Sequence, residues 1–294
     1  MFSQFFGHYL LNKGAISTAQ MNEALLKRGE TRVKLGVLAI NAGFMTAEQV
    51  DQVHKMQMKV DKRIGDLAVD MGFLTSKQVS DLLGMQKSAH LVLGQTLVDL
   101  GHMSNAQLEE ALSDYKARYQ LDDADFADEN SVKANRMATN FLGMPEIESI
   151  GYCANYVALL FKSLTRFVTD DYTPLAPCCV REMSCSSLIS QKINGPFSAI
   201  TGIDGGEDSL AAFASLYERE GSLEPGEYAQ AVVSEFLNLH NGLFAVNVSL
   251  ERDVELSLEP QTVQKDAVMR ANVICIVIPI SFTFGIVNFS VLPI

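Results

Sequence analysis

The sequence predicts two domains: an all-α helical repeat module, then an α+β domain that lays two long helices on an antiparallel sheet. Three observations carry this. A glycine-marked motif recurs four times in the first 118 residues, at a period of 29. A polar, acidic stretch follows. Beyond it, helical apolar stripes alternate with runs of β-branched and aromatic residues. The predicted boundaries are 1–118 for the repeats, 119–143 for an acidic linker and 144–294 for the second domain.

The repeat is defined by the pairs Gly7/Gly14, Gly36/Gly43, Gly65/Gly72 and Gly94/Gly101. Ser17, Thr46, Thr75 and Ser104 follow, and then Gln20, Gln49, Gln78 and Gln107. A strict period of this kind means stacked supersecondary units, of which roughly three or more are needed to close a core. LGVLAINAG (35–43) and IGDLAVDMG (64–72) read as short amphipathic helices. The second glycine of each pair sits where a helix C-terminus takes a left-handed residue. The Ser or Thr three positions later is an N-cap for the next helix, with Glu48 supporting the start in copy two. That second helix carries Gln49, Val50, Val53 and Gln57 at helical spacing.

Charge separates the halves. Residues 1–118 hold 13 Lys and Arg against 12 Asp and Glu; residues 119–294 hold 10 against 23, so +1 and −13 make the total of −12. An acidic half of this kind excludes nucleic acid as a partner, because neutralising phosphates needs Lys and Arg. The five cysteines (153, 178, 179, 185 and 275) form no C-x-x-C pair and have no nearby His, so they read as ordinary buried thiols, with no metal. The N-terminus lacks a signal-peptide pattern, which predicts reduced thiols and a cytoplasmic location.

In the second half, Pro145 opens a helix with Ile150, Cys153, Ala154, Val157, Leu160, Phe161, Leu164 and Val168 on one stripe. Strands are expected at 183–191 and 197–203. GIDGGEDS (202–209) is a turn, with a helix near 208–219. Pro225 begins a second long helix that runs to about Val246. Strands then fill 247–258. Residues 273–294 are uncharged and long enough to cross a bilayer. Their β-branched and aromatic content, with Pro279, Gly285 and Asn288, predicts two buried strands and a bend, with no transmembrane span.

The second long helix carries the candidate chemistry. With Ala229 as origin and about 100° per residue, Val232, Val233, Phe236, Leu243 and Phe244 share one face with His240. Glu235 and Asn238 lie on the opposite side and, three apart, are surface neighbours. Ala231, Ser234, Gly242 and Ala245 keep their surroundings small. From pattern alone this is either a solvated helix face or a surface that another protein approaches.

Residues 144–294 resemble the CheX-type domain of the CheC/CheX/FliY family of bacterial chemotaxis phosphatases. The matches are ITGIDGGEDSLAAF, the signature helix VVSEFLNLHNG, then VELSLEPQTV and VICIVIPISF. The resemblance implies a phosphorylated CheY-like receiver as partner. It assigns catalysis to the helix, with Asn238 orienting the attacking water and Glu235 holding the receiver's lysine. Such catalysis is mostly positioning. The domain needs no cofactor of its own, because Mg accompanies the receiver. CheC-type members carry the motif on both long helices. Here Tyr152 stands in place of Glu before Asn155, so one active helix is expected, as in CheX. Ala231 stands where family members often have Ser or Asp. A homodimer is a further expectation.

The repeats resemble the N-terminal domain of type II secretion ATPases, whose MshEN branch binds cyclic di-GMP. The resemblance places ligand contacts at Lys34, Leu35, Gly36 and Gln57 in copy two. In copy three it places them at Arg63, Ile64, Gly65 and Gln86. Copies one and four depart, with Phe5 and Arg28, and with Val92 and Tyr115. Lys34 offers a point charge where Arg would offer a planar fork. Two functions follow. One is a receiver-phosphate phosphatase regulated or localised by cyclic di-GMP. The other is a non-catalytic adaptor joining receivers to a secretion, pilus or other protein partner.

Overall fold

The computed structural model describes residues 2–85, 88–122, 125–126, 131–143, 148–219 and 221–294. It combines α-helices with an antiparallel sheet, in two compact units that divide between Asp128 and Glu129.

The first unit contains α1 (Phe2–Asn12), α2 (Thr18–Lys27), a 3-10 turn (Arg28–Glu30), α3 (Leu35–Asn41), α4 (Ala47–Gln57), α5 (Ile64–Asp70), α6 (Ser76–Gly84), α7 (Ala89–Asp99) and α8 (Asn105–Tyr119). Its described residues include no strand. One punctuation recurs four times. Gly14, Gly43, Gly72 and Gly101 take φ of +68°, +68°, +73° and +73°, a conformation that L side chains resist. Three residues on, the hydroxyls of Ser17, Thr46, Thr75 and Ser104 accept from the backbone N–H of Gln20, Gln49, Gln78 and Gln107. Each glutamine side chain reaches back to the N-cap backbone, completing a capping box. Gln49, and not Glu48, is therefore the residue that secures the start of α4.

The first glycines have a different task. A Cβ on Gly36 would lie 2.6 Å from Val50 Cγ1; on Gly65, 2.9 Å from Val79 Cγ1; on Gly94, 2.7 Å from Leu108 Cδ1. Each of these partners stands fourteen positions on, in the second helix of the same copy. Glycine is what lets the two helices of a copy close on each other.

Copies do not pack in chain order. Copy one packs on copy four (α1 on α7 and α8, α2 on α7); copy four on copy two (α3 on α7 and α8, α4 on α8); copy two on copy three (α3 on α6, α4 on α5). Copy four is thus central. Its Tyr115 is fully buried between Phe6 and Tyr9 and donates to the Phe2 carbonyl. That location accounts for an aromatic residue where copy two has Gln57.

The segment expected to be a linker divides between the units. Leu121 is buried and Phe126 stacks on His90, both in the first unit. Residues Ser131–Leu142 form α9, which packs on α10 (Glu148–Ser163) in the second. Pro145 lies outside the described residues, as does the side chain of Ile150.

After α10 come a π-helical turn (Leu164–Val168), β1 (Tyr172–Pro174), β2 (Cys178–Asn194), β3 (Ala199–Asp204), α11 (Glu207–Glu218), α12 (Glu227–Arg252), β4 (Ser257–Leu258), β5 (Thr262–Phe282) and β6 (Gly285–Pro293). The sheet order is β1-β5-β6-β3-β2-β4, all antiparallel, and β5 also pairs with β2. The pairings of β2, β3, β6 and β5 therefore close a circuit.

Three expectations are corrected here. Strands β2 and β5 are far longer than anticipated, because each changes partner along its length. Residues 247–252 are helix, not strand, and only Ser257–Leu258 is extended in that stretch. Val248 continues the buried face of Phe244 while Val246 and Leu250 stay exposed, so packing overrides the β-branched composition. Cys178 and Cys179 are exposed; the other three cysteines are buried, and all five are free. No cluster of metal-ligating side chains occurs among the described residues. The 273–294 stretch forms the β5–β6 hairpin, turning at Gly285. No described helix is long and apolar enough to cross a membrane.

Candidate functional site

α12 buries Ala229, Val232, Val233, Phe236, Leu237, His240, Asn241, Phe244 and Val248. The face opposite carries Ala231, Glu235 and Asn238, all exposed. With Glu227, Gln230 and Ser234, and with Gln261 and Val263 of β5 and its approach, they line an open groove of about 520 Å³. The helical periodicity therefore places both candidate residues where the sequence puts them. Two carboxylates, Glu227 and Glu235, line the groove and no cation does. Burial and the charges of Glu235 and Glu218 together raise the pKa of Tyr217, burial being the larger cause.

Asn238 is less independent than its exposure suggests. Gln191, on β2 and buried, donates from Nε2 to Asn238 Oδ1 at 2.9 Å and to the Glu259 carbonyl at 2.8 Å. Gln191 Oε1 accepts from Asn241 Nδ2 at 2.9 Å; Asn241 Nδ2 also donates to Thr201 Oγ1 at 2.8 Å. Asn241 Oδ1 accepts from the Tyr156 hydroxyl at 2.8 Å. Sequence reasoning missed Gln191 and Asn241. A signal for Gln191 exists: it shares strand parity with Ile189 and Ile193, both fully buried.

His240 is on the buried face of the same helix, against Tyr156 and Phe236, with Ser163 Oγ 3.2 Å from Nδ1. Burial lowers its pKa to about 3, so it is neutral and belongs to the core.

The other long helix is differently furnished. Tyr152 is buried, stacked on Phe197 at 5.1 Å, with the Arg252 guanidinium 4.2 Å over its ring. Asn155 is half-buried in a small depression with Asn135 of α9, Lys162, Asn247 and Glu251. Packing has absorbed this face.

In the first unit, Lys34 stands at the N-cap position of α3 without a side-chain capping bond and pairs with Asp99 at 2.7 Å, in a depression that Lys27, Glu30, Arg32 and Asp99 also line. Arg63 stands at the N-cap position of α5 without a side-chain capping bond and is exposed, Ile64 is half-buried, and Leu35 reaches to within 3.3 Å of where a Cβ on Gly65 would be. Gln57 donates to the Lys62 carbonyl at 3.3 Å. Arg63 and Gln57 are not among the residues lining the Lys34 depression. Gln86 lies outside the described residues. Gly36 and Gly65 are buried, and a Cβ on either would meet Val50 or Val79.

No family model matches the chain, and neither does any curated protein. Solved structures do. A CheC-like superfamily protein from Shewanella sp. PV-4 is 14% identical over 50% of this chain and 97% of its own, with a TM-score of 0.43. The chemotaxis protein CheX from Desulfovibrio desulfuricans is 13% identical over 50% of this chain and 100% of its own, at 0.41. A CheX–CheY–BeF3–Mg complex from Borrelia burgdorferi is 11% identical over 50% of this chain and 99% of the matched chain, at 0.39.

Proposed function

We propose that the second unit removes the aspartyl phosphate of a CheY-like receiver domain, with the exposed face of α12 entering the receiver's site. The observation that supports this reading is the pairing of exposed Glu235 and Asn238, one turn apart, on a groove walled by Ala231 and Ser234. Glu235 meets a cation on the partner, the receiver's lysine. Asn238 orients a water for in-line attack on phosphorus, releasing phosphate and the receiver's carboxylate. The Mg ion belongs to the receiver. The protein's contribution is alignment of the water and exclusion of competing geometries.

The helical repeats of the first unit supply docking or regulation, with cyclic di-GMP as the ligand that Arg63 and Lys34 would engage. The test is decay of phosphorylated receivers from the same cell, with and without the full chain. Faster decay that Asn238→Ala abolishes supports the phosphatase. Receiver binding without any acceleration selects the adaptor instead.

A further inference from the structure

We propose that Gln191 and Asn241 are positioning residues that hold the Asn238 carboxamide with its oxygen inward and its N–H₂ group outward, so that the site presents a hydrogen-bond donor. This rests on the phosphatase reading above.

The assignment follows from proton accounting. The Glu259 main-chain carbonyl can only accept, so the Gln191 atom 2.8 Å from it is the nitrogen. The other terminal atom of Gln191 is then the oxygen and needs a donor, which Asn241 Nδ2 supplies. Asn241 Oδ1 faces the Tyr156 hydroxyl, and its second N–H goes to Thr201 Oγ1. The Thr201 proton goes to the main-chain carbonyl of Gln191 at 3.1 Å. Turning Gln191 over would set oxygen against the Glu259 carbonyl and nitrogen against the nitrogen of Asn241. The remaining Gln191 hydrogen points at Asn238, whose facing atom must be oxygen.

Burial makes this assignment firm. Gln191 is 3% exposed, Asn241 and Thr201 0%. An unmade hydrogen bond there costs the full desolvation of the group. The surface end of the chain inherits that rigidity, although Asn238 itself is exposed. An outward N–H₂ suits a phosphoryl oxygen or the oxygen of the attacking water; an outward carboxamide oxygen has no proton to offer either. Fixing the side chain beforehand also spares the entropy of ordering it in the complex.

The test uses the full-length chain and a receiver, phosphorylated with acetyl phosphate in Mg, whose decay the wild type accelerates. Gln191→Glu retains the bond from Asn241; the buried carboxyl is protonated and gives its one proton to the Glu259 carbonyl, so it turns a lone pair to Asn238, drawing the N–H₂ inward and the oxygen outward. The expected result is at least a tenfold loss of rate at saturating receiver, with half-saturation unchanged within twofold. Gln191→Leu should lose rate likewise, and ¹⁵N relaxation of the Asn238 side-chain amide in the free chain should show greater mobility. Full rate in either folded variant overturns the proposal, as does unchanged Asn238 relaxation in Gln191→Leu. If Gln191→Leu does not fold, Gln191→Glu decides. If the wild type accelerates no receiver, the phosphatase reading fails, and the relaxation comparison still decides whether Gln191 orders Asn238.

Discussion

Gly36 and Val50 stand fourteen residues apart and meet so closely that a methyl group on Gly36 would lie 2.6 Å from Val50 Cγ1. Gly36→Ala should therefore destabilise the first unit by about 1–3 kcal/mol through overpacking. Val50→Ala in the same chain should recover part of that loss, giving a favourable coupling in a double-mutant cycle. Urea unfolding followed by circular dichroism measures each corner. Additive losses would mean that the contact is not the cause.

Glu235 and Asn238 should differ in what they cost. Glu235→Ala removes an exposed side chain and should change stability by no more than about 0.5 kcal/mol. Its expected effect is weaker receiver binding, seen in calorimetry. Asn238→Ala takes an acceptor from Gln191, which keeps its bond to the Glu259 carbonyl; about 1 kcal/mol should go. Receiver-phosphate decay should fall to the uncatalysed rate. Equal acceleration by Asn238→Ala and wild type would refute the catalytic assignment.

Acid should weaken both units. Burial lowers the pKa of His90 and of His240 to about 3 in the folded chain, against roughly 6.5 unfolded. The unfolded chain therefore binds protons first as pH falls. Stability from each neutral imidazole is complete above about pH 6.5 and is lost on acidification towards 3, at up to about 1.4 kcal/mol per pH unit. Urea midpoints at pH 7 and pH 5 measure this. His240→Phe should flatten the slope for the second unit, whatever its own stability; an unchanged slope would remove His240 as a cause.

Cyclic di-GMP binding should be read by calorimetry on the full chain. Arg63→Ala should abolish the heat if the exposed Arg63 is a ligand contact. Lys34→Ala should weaken binding less, since Lys34 already pairs with Asp99. No heat far above micromolar ligand, or an unaffected Arg63→Ala, counts against the assignment.

Where backbone geometry is local, the sequence was readable. The positive-φ glycines and the Ser/Thr caps follow from single residues and their nearest neighbours. The exposed pair on α12 was legible for the same reason, since a helix fixes which residues share a face. What escaped is long-range. Gln191 reads as an ordinary polar strand residue until β2 is laid under α12, 47 positions away in sequence. The close approach of Gly36, Gly65 and Gly94 to the second helix of their copies is visible only once that helix is folded back. VNVSLER reads as strand because of its composition, yet one buried Val248 holds it helical.

The central place of copy four has a consequence for biosynthesis. Tyr115 donates to the Phe2 carbonyl and Asp114 accepts from Tyr9, joining residues more than 100 positions apart. A nascent chain that has left the ribosome only as far as copy three exposes those apolar faces of copies one and two that copy four covers. The first unit should complete its core only when α7 and α8 emerge, and an arrested chain ending before Ala89 should be a substrate for chaperones and proteases.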